Sequence, residues 1–416
     1  LDRTDTIVLL DPGSVYILNQ VNPLDSAGVT QAQNNPFLNL TGRGVLLGLI
    51  DTGIDYMNPE FIFENNTSKV VRLWDQTIQT GQPPEGYVIG TEYREENINQ
   101  AIALSNQGGD PYSVVPSRDE IGHGTHMAGI MGARGVDPTL MGAAPDSRFV
   151  VVKLRISNLT ELEDVVSPDL GVPIYGQADI LLALKYIYET ARELGAPISI
   201  LLPVSTNFGP HDGTQIIEKY INQMVDFPGV SVTVPIGNEG FSDTHTEGVV
   251  QQGETSTIEL QIGQGEINIS MDIWLQSPDR AAIGLVSPSG EVVERLPIRN
   301  GITQRVTLVY ERTNIYVIYN SPNPLNGDES ISLILLNAVP GIWKFTLYGE
   351  RILNGTYNAW IPSRELLQQN TRFLNPSQNI TLTSPSASAG AISPGYYNQN
   401  NNTAVVYSGR GFTRTG

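Results

Sequence analysis

Three short segments of the sequence carry side chains that could do acid–base chemistry or stabilise an anion. Asp51 begins Asp51-Thr52-Gly53, His123 lies in a glycine-rich stretch, and Asn238 is flanked by glycine in Gly237-Asn238-Glu239-Gly240. Carboxylates and imidazoles are common general acids and bases, and an amide NH₂ group can donate to a developing oxyanion. These three residues are therefore the candidate catalytic residues.

Asp51 has two interpretations when its segment is considered alone. An Asp that follows an apolar run is most often the cap of a turn. Asp-Thr-Gly is also used by aspartic proteases, but those enzymes need two such carboxylates sharing a proton. The chain has no second Asp-Thr-Gly or Asp-Ser-Gly, so this class is disfavoured.

His123 and His126 are two of only four histidines in the chain. Being three residues apart, they could share one metal ion, but no Glu lies between them and no third ligand follows nearby, so the zinc-hydrolase pattern is not met. A single His is usually a satisfied polar group, whereas the whole context of residues 122–130 rarely arises by chance. Asn238, taken alone, is typical of a glycine-flanked turn.

The elements around these segments predict an α/β domain over residues 41–248, preceded by an N-terminal segment 1–40 that is either a propeptide remnant or the mature N-terminus. Strands alternating with helices favour a mostly parallel sheet, whose ligand sites lie beyond the carboxyl ends of its strands. Apolar runs predict strands at 45–50, 149–154, 198–204 and 231–236, and helical periodicity predicts helices over 180–194 and 216–225.

The pattern changes to alternation with period two after residue 248 and predicts an inserted all-β jelly roll or sandwich over residues 249–365. Residues 362–370 predict a helical exit, and residues 366–416 are expected to return to the α/β domain. The predicted strands lie at 258–262, 267–273, 281–287, 304–310, 314–319, 331–337 and 342–348.

In this order, Asp51, His123 and Asn238 resemble the subtilisin-like serine peptidases, the subtilases. The matching stretches are residues 48–55, 119–129 and 237–240, and the similarity covers roughly residues 40–245 and resumes near 379–416. The resemblance implies a subtilisin-like sheet with helices on both faces. It also implies that Asp51 orients and stabilises the imidazolium, that His123 is general base and then general acid, and that Asn238 is the oxyanion donor.

The β-rich block between Asn238 and the tail resembles the layout of the Csp proteases of spore-forming clostridia and related bacterial subtilases. This narrower resemblance implies a serine endopeptidase that acts on a protein or peptide, such as a cortex-lytic proenzyme processed during germination, with its own propeptide as a partner. It also implies an exported or spore-associated location in a bacterium. The competing hypothesis is an inactive pseudoprotease that acts by binding or signalling, and the intact Asp51 and His123 argue against it.

Pro203-Val204-Ser205 is predicted to bind substrate, because it stands where the substrate-lining strand of subtilases usually has Ser-Leu/Ile-Gly. The proline removes one N–H that could pair with an extended peptide, and the serine replaces a glycine at a pocket wall. Substrate specificity therefore does not follow from the resemblance.

The nucleophile of subtilases lies in a Gly-Thr-Ser-x-Ala segment, which does not occur in residues 1–416. Ser386, Ser388 and Ser393 lie in a loop-like stretch without that context. Residues 408–411, Ser-Gly-Arg-Gly, resemble the loop that precedes the nucleophile in the family. We therefore expect the sequence to stop before the nucleophile and residues 1–416 to be inactive alone.

Composition excludes several other classes of protein. The 43 acidic against 24 basic residues give a net charge of −19, which disfavours nucleic-acid and anionic-membrane partners. The absence of cysteine excludes disulfides, thiolate metal sites and a cysteine nucleophile in this stretch. No apolar run approaches the ~20 residues of a membrane span. Subtilases often bind calcium, but no ligand spacing supports a site, so no cofactor is predicted.

Overall fold

A six-stranded, mostly parallel sheet forms the centre of the α/β domain in the computed structural model, which describes residues 23–157, 171–399 and 401–416. The strand order is β3-β2-β4-β1-β5-β6, and only β3 runs antiparallel to its neighbour. All six positions of the central strand β1 are buried. The strands are β1 (Leu46–Asp51), β2 (Val70–Asp75), β3 (Thr91–Arg94), β4 (Arg148–Lys153), β5 (Ile198–Leu201) and β6 (Val230–Thr233).

Helices cover both faces of this sheet, as predicted. One core lies between the sheet and α3 and α4, where Ile98 and Ala128 pack with Leu49 of β1. The other lies between the sheet and α5 and α6, where Ile187 and Ile221 are fully buried. The helices are α1 (Pro23–Ser26), α2 (Val29–Gln33), α3 (Glu95–Asn106), α4 (His123–Gly132), α5 (Gln177–Leu194) and α6 (Ile216–Val225).

Two antiparallel sheets form the predicted β-sandwich, with orders β11-β10-β15-β8-β17 and β12-β13-β14-β9-β16-β7. Their inward-facing side chains make one apolar core that includes Trp343, Phe345 and Tyr319. The strands are β7 (His245–Val249), β8 (Thr255–Ile262), β9 (Asn268–Leu275), β10 (Arg280–Val286), β11 (Val292–Leu296), β12 (Thr303–Thr307), β13 (Asn314–Asn320), β14 (Glu329–Leu336), β15 (Gly341–Arg351), β16 (Thr356–Trp360) and β17 (Arg372–Phe373).

The helical exit predicted over residues 362–370 is wrong. Only a single 3₁₀ turn, Arg364–Leu366, forms there, and the chain then rejoins the sandwich through β17. The sandwich therefore extends past residues 249–365 on both sides, from His245 to Phe373. After the sandwich the tail returns to the α/β domain, where Ile392 bridges Thr233 at the end of β6. The tail also forms a short hairpin of β18 (Tyr397–Asn398) and β19 (Thr403–Ala404).

A stack of three rings lies where the sandwich meets the α/β domain. Trp360 of β16 lies between His211 and His245, with ring centroids 4.1 and 4.7 Å apart. Both histidines are buried, and burial lowers the pKa of each to about 4. His211 faces two carbonyl oxygens, those of Leu382 and Asn207, so a neutral ring satisfies only one of them.

A buried ion cluster joins the same two units to the tail. The Arg414 guanidinium pairs with Asp212 of the α/β domain at 3.0 Å and with Asp328 of the sandwich. All three side chains are at least nine-tenths buried. Arg414 Nε also donates to the Pro210 carbonyl oxygen. Because breaking a buried pair leaves an uncompensated charge, this cluster resists separation of the two units.

The ring stack predicts a specific pH dependence of stability. Below the ordinary His pKa of 6.5, the unfolded chain takes up a proton on His245 that the native state, with a pKa of about 4, does not take up. The wild type should therefore lose about 2 kcal/mol more unfolding free energy than His245→Phe when the pH falls from 7 to 5. Urea titrations of both proteins at each pH measure this difference. An equal loss in both would contradict a buried neutral His245.

Candidate active site

Asp51 and His123 form a hydrogen-bonded pair at the carboxyl end of the parallel sheet. Asp51 is the last residue of β1, His123 is the first of α4, and Nδ1 of the imidazole lies 2.8 and 2.9 Å from the two carboxylate oxygens. Asp51 is buried, whereas the His123 side chain is 48% exposed. The Nδ1–H therefore donates to the carboxylate, which leaves the Nε2 lone pair free to accept a proton.

The Asp51 carboxylate is held in a mixed environment. Burial raises its pKa, although the hydrogen bonds from His123 and from the Thr52 N–H act to lower it. The Thr52 N–H donates to Oδ1 at 2.6 Å. A buried carboxylate with its oxygens engaged by the imidazole can fix the tautomer of the ring and stabilise its protonated form.

Asp119 fixes the relative position of the two segments that carry this pair. Its Oδ1 accepts from the Thr52 hydroxyl at 2.7 Å and from the Gly122 N–H at 2.8 Å, and its Oδ2 accepts from both the N–H and the hydroxyl of Thr125. Burial acts to raise its pKa, but the hydrogen bonds from Thr125 and Thr52 outweigh it and lower the pKa. Asp119 thus anchors the first turn of α4 to the residue next to Asp51.

Gly124 lets this helix approach the Asp51 loop. A Cβ at Gly124 would lie 2.1 Å from the Gly53 carbonyl oxygen, so no larger residue fits without displacing α4. The Gly124 N–H donates to the Thr52 hydroxyl at 2.9 Å. The glycine after His123 therefore has a steric explanation in the contact between two backbones, whereas Gly122 before it has φ +86°, which favours glycine.

The other end of α4 is held by a buried lysine. Lys69 Nζ donates to the carbonyl oxygens of Gly132 and Pro145, and burial lowers its pKa to about 8. A cation at the carboxyl end of a helix is favourably placed against the helix dipole. The helix that carries His123 is therefore tied down at both termini.

Asn238 follows β6 at the same edge of the sheet, and its side chain is exposed. Its loop is held on both sides by the tail, since the Gly409 N–H donates to the Gly237 carbonyl and the Gly240 N–H donates to the Tyr407 carbonyl. Gly237 has φ +91°, and a Cβ there would clash with Thr383. Within the described residues the Asn238 amide has no hydrogen-bond partner, so its NH₂ group is available to a ligand.

The segment Pro203-Val204-Ser205 continues from β5 at this edge. Pairing between β5 and β6 ends at Leu201, and the next backbone bonds are those of Leu202 with Thr233 and of Thr206 with Ser384. In the part of the chain that the structure describes, the backbone groups of residues 203–205 have no hydrogen-bond partner. Ser205 is exposed, and Pro203 and Val204 are half-buried. An extended peptide could pair with this free stretch of backbone.

None of the three serines of the tail is hydrogen-bonded to His123. Ser386 Oγ donates to the Thr383 carbonyl, Ser388 Oγ donates to the Asn222 side chain, and Ser393 Oγ donates to the Ser386 carbonyl. Among the described residues, His123 Nε2 has no hydrogen-bond partner at all.

His126 lies one turn along α4 and is exposed. No group of three or more His, Asp or Glu that could hold a metal ion occurs in residues 23–157, 171–399 and 401–416. Over the same ranges, none of the helices combines the length and apolar character needed to cross a bilayer.

The motifs located Asp51, His123 and Asn238, but the supporting residues had no assigned role in the sequence. Asp119 lies inside the matching stretch 119–129, and the one sequence signal for its role was its position shortly before a helix start. Thr52 lies in the matching stretch 48–55 but had no role of its own there, and Lys69 gave no signal, because both functions depend on contacts with residues distant in the chain.

Comparisons with known proteins find similarity to one family over the part of the chain that holds Asp51 and His123. Residues 42–168 match Peptidase_S8, the subtilase family. The chain is 26% identical to the major intracellular serine protease of Bacillus subtilis over 256 residues, which are 62% of this chain and 61% of that protein. It is 30% identical to subtilisin-like protease SBT3.5 of Arabidopsis thaliana over 208 residues, covering 40% of this chain and 26% of that protein.

The structure is similar to that of the Clostridium perfringens CspB protease, with a TM-score of 0.80 and 27% sequence identity. The match covers 94% of this chain and 76% of that one, so it takes in the β-sandwich as well as the α/β domain. The chain spans less than two thirds of the B. subtilis relative. Residues 42–168 are thus similar to the subtilase family in sequence, and the fold is similar to that of the CspB protease.

Asp119→Asn should lower catalytic competence, because an amide cannot accept all four hydrogen bonds that now hold Thr52 and the start of α4. A misplacement of about 1 Å can cost ~10²-fold in rate, and unpaired buried donors cost about 1–3 kcal/mol each. Labelling of the full-length protein by a fluorophosphonate and its melting temperature measure the two effects. Asp137→Asn is the matched control, since Asp137 makes the same kind of bonds to Thr139 at an exposed 3₁₀ turn away from the pair. Equal labelling rates in both variants would refute the anchoring role of Asp119.

Proposed function

We propose that this chain, whose residues 42–168 match the subtilase family, belongs to a serine endopeptidase that hydrolyses peptide bonds through an acyl-enzyme. The observation that carries the proposal is the Asp51–His123 pair, with Nδ1 at 2.8 Å from a buried carboxylate and a half-exposed imidazole. In this assignment Asp51 orients the ring, and His123 removes the proton from a serine hydroxyl and later donates it to the leaving amine.

Asn238 completes the proposed site as the oxyanion donor. Its free amide lies beyond the carboxyl end of β6, and the tail holds Gly237 and Gly240 of the same loop. A preorganised donor stabilises charge that develops only in the transition state. The free backbone of residues 203–205, at the same edge of the sheet, supports the proposal that an extended substrate pairs there.

The nucleophile is proposed to come from outside residues 1–416. Two observations support this proposal. The chain contains no Gly-Thr-Ser-x-Ala segment, and the hydroxyls of Ser386, Ser388 and Ser393 donate to groups other than His123. Residues 1–416 would then provide the base, its orienting carboxylate and the oxyanion donor, and would be inactive alone.

The similarity to the CspB protease, sandwich included, supports a narrower proposal. The substrate would be a protein, such as a cortex-lytic proenzyme activated during spore germination, and the location would be exported or spore-associated in a bacterium. The chain's own propeptide is a further proposed partner.

The peptidase proposal is tested by fluorophosphonate labelling of the full-length protein. Wild type should label, and His123→Ala should abolish labelling because the serine loses its general base. His126→Ala, on the same helix but exposed, is the matched control and should label like wild type. Mass spectrometry should locate the probe outside residues 1–416. Label on Ser386, Ser388 or Ser393 would contradict the assignment of the nucleophile, and labelling of His123→Ala would contradict the assignment of the base. A wild type that never labels, although folded, would favour the pseudoprotease.

The narrower proposal is tested with a purified cortex-lytic proenzyme. The full-length protein should convert it to one shorter product by a single cut, and the His123→Ala protein should not. Gel electrophoresis and N-terminal sequencing identify the cut. Hydrolysis of unstructured casein without cleavage of the proenzyme would retain the peptidase and remove the germination role.

A further inference from the structure

Glu239, the residue after Asn238, turns its side chain away from solvent and into the boundary between the two units. It is only 3% exposed. Its Oε2 accepts from the Thr244 hydroxyl at 2.7 Å, and its Oε1 accepts from the Arg364 N–H at 3.2 Å. A carboxylate at this depth is tolerated because both of its oxygens accept hydrogen bonds.

One donor lies on the connection into the β-sandwich, and the other lies within the sandwich. Thr244 immediately precedes β7, and Arg364 begins the 3₁₀ turn between β16 and β17. The two segments are themselves bonded, since the Ile361 N–H donates to the Thr244 carbonyl at 3.1 Å. Asn207 strengthens the link, because its Nδ2 lies 3.1 Å from the Thr244 hydroxyl and 3.2 Å from the Ile361 carbonyl oxygen. Glu239 therefore bonds to the entry connection and to the sandwich at once.

Asn238 depends on its neighbours for its position. It is the N-cap of the 3₁₀ turn Glu239–Phe241, and its side chain has no hydrogen-bond partner among the described residues. Gly237 and Gly240 are held by the tail through Gly409 and Tyr407. Within the turn, the Glu239 carboxylate is the attachment that links Asn238 to the sandwich.

We propose that Glu239 is a positioning residue: by accepting hydrogen bonds from Thr244 and Arg364, it fixes the backbone that aims the Asn238 amide at the oxyanion. The sandwich is then part of what sets the geometry of the oxyanion hole, through Arg364 and the connection that carries Thr244. This inference rests on the proposed peptidase function. Burial raises the pKa of Glu239, which agrees with a side chain that faces the interior.

The size of the expected effect has an upper limit. Losing one oxyanion donor lowers kcat by ~10²–10³, so misaiming the same donor cannot cost more through this route. Truncating Glu239 leaves the Thr244 hydroxyl and the Arg364 N–H without their acceptor, and the loop can then relax. We expect Glu239→Ala to lower kcat by roughly 10–100-fold, with KM changed less than about twofold, since the bond to Asn238 forms fully only in the transition state.

A double-mutant cycle on the full-length protein separates positioning from a general structural role. If Glu239 acts through Asn238, then Asn238→Ala combined with Glu239→Ala should have the kcat of Asn238→Ala alone, within about twofold. Glu365→Ala is the matched control, because it removes an exposed carboxylate at the same boundary that does not bond to the Asn238 loop. It should keep the wild-type kcat.

Thr244→Val provides a second variant in which the carboxylate remains and one of its donors is lost. It should lower kcat several-fold in the wild-type background and not in Asn238→Ala. Multiplicative effects in either cycle, or a change confined to KM, would overturn the inference. A failure of the proposed function has a different signature, because the wild type itself would then show no labelling and no hydrolysis.

Discussion

The hydrogen bond between Asp51 and His123 joins two backbone segments that are separated by most of the first half of the α/β domain, and the rest of the site depends on keeping them in contact. A hydrogen bond tolerates little error in distance and angle. The structure meets this constraint at several levels. Gly124 allows the two backbones to touch, Asp119 bonds to both segments, and Lys69 holds the far end of the helix.

The same constraint explains why some features could be predicted from the sequence and others could not. The strands β1 and β4 and the helix α5 follow from local apolar periodicity, and the candidate catalytic residues follow from short motifs. Strand β2 was not predicted, because its fully buried run includes Arg72, whose charge is compensated by Glu193 and Glu92 from elsewhere in the fold. The helix predicted at 362–370 failed for a related reason: Arg364 in the turn there donates to Glu239, and the chain soon after it pairs with β8 as β17, and such distant partners override local propensity.

The boundary between the two units is unusually rich in buried polar and aromatic groups. The Trp360 stack, the Arg414 cluster and the Glu239 bonds all lie there, and each joins residues far apart in sequence. Here the contacts tie the sandwich to the loops that follow β5 and β6, so the two units share the edge of the sheet where the candidate residues lie.

The order in which the ribosome makes the chain determines when the Asn238 loop can form. The strands β1 to β6 and the helix that carries His123 all precede the sandwich, whereas the partners of the Asn238 loop, Thr383, Tyr407 and Gly409, follow it. A ribosome releases these parts from the N-terminus onward, at about 5–20 residues per second. The Asn238 loop therefore cannot reach its final conformation until the whole sandwich has emerged and the tail has been threaded back beside β6. At that rate, roughly 9–35 s separate the synthesis of β6 from that of the tail residues that hold the Asn238 loop.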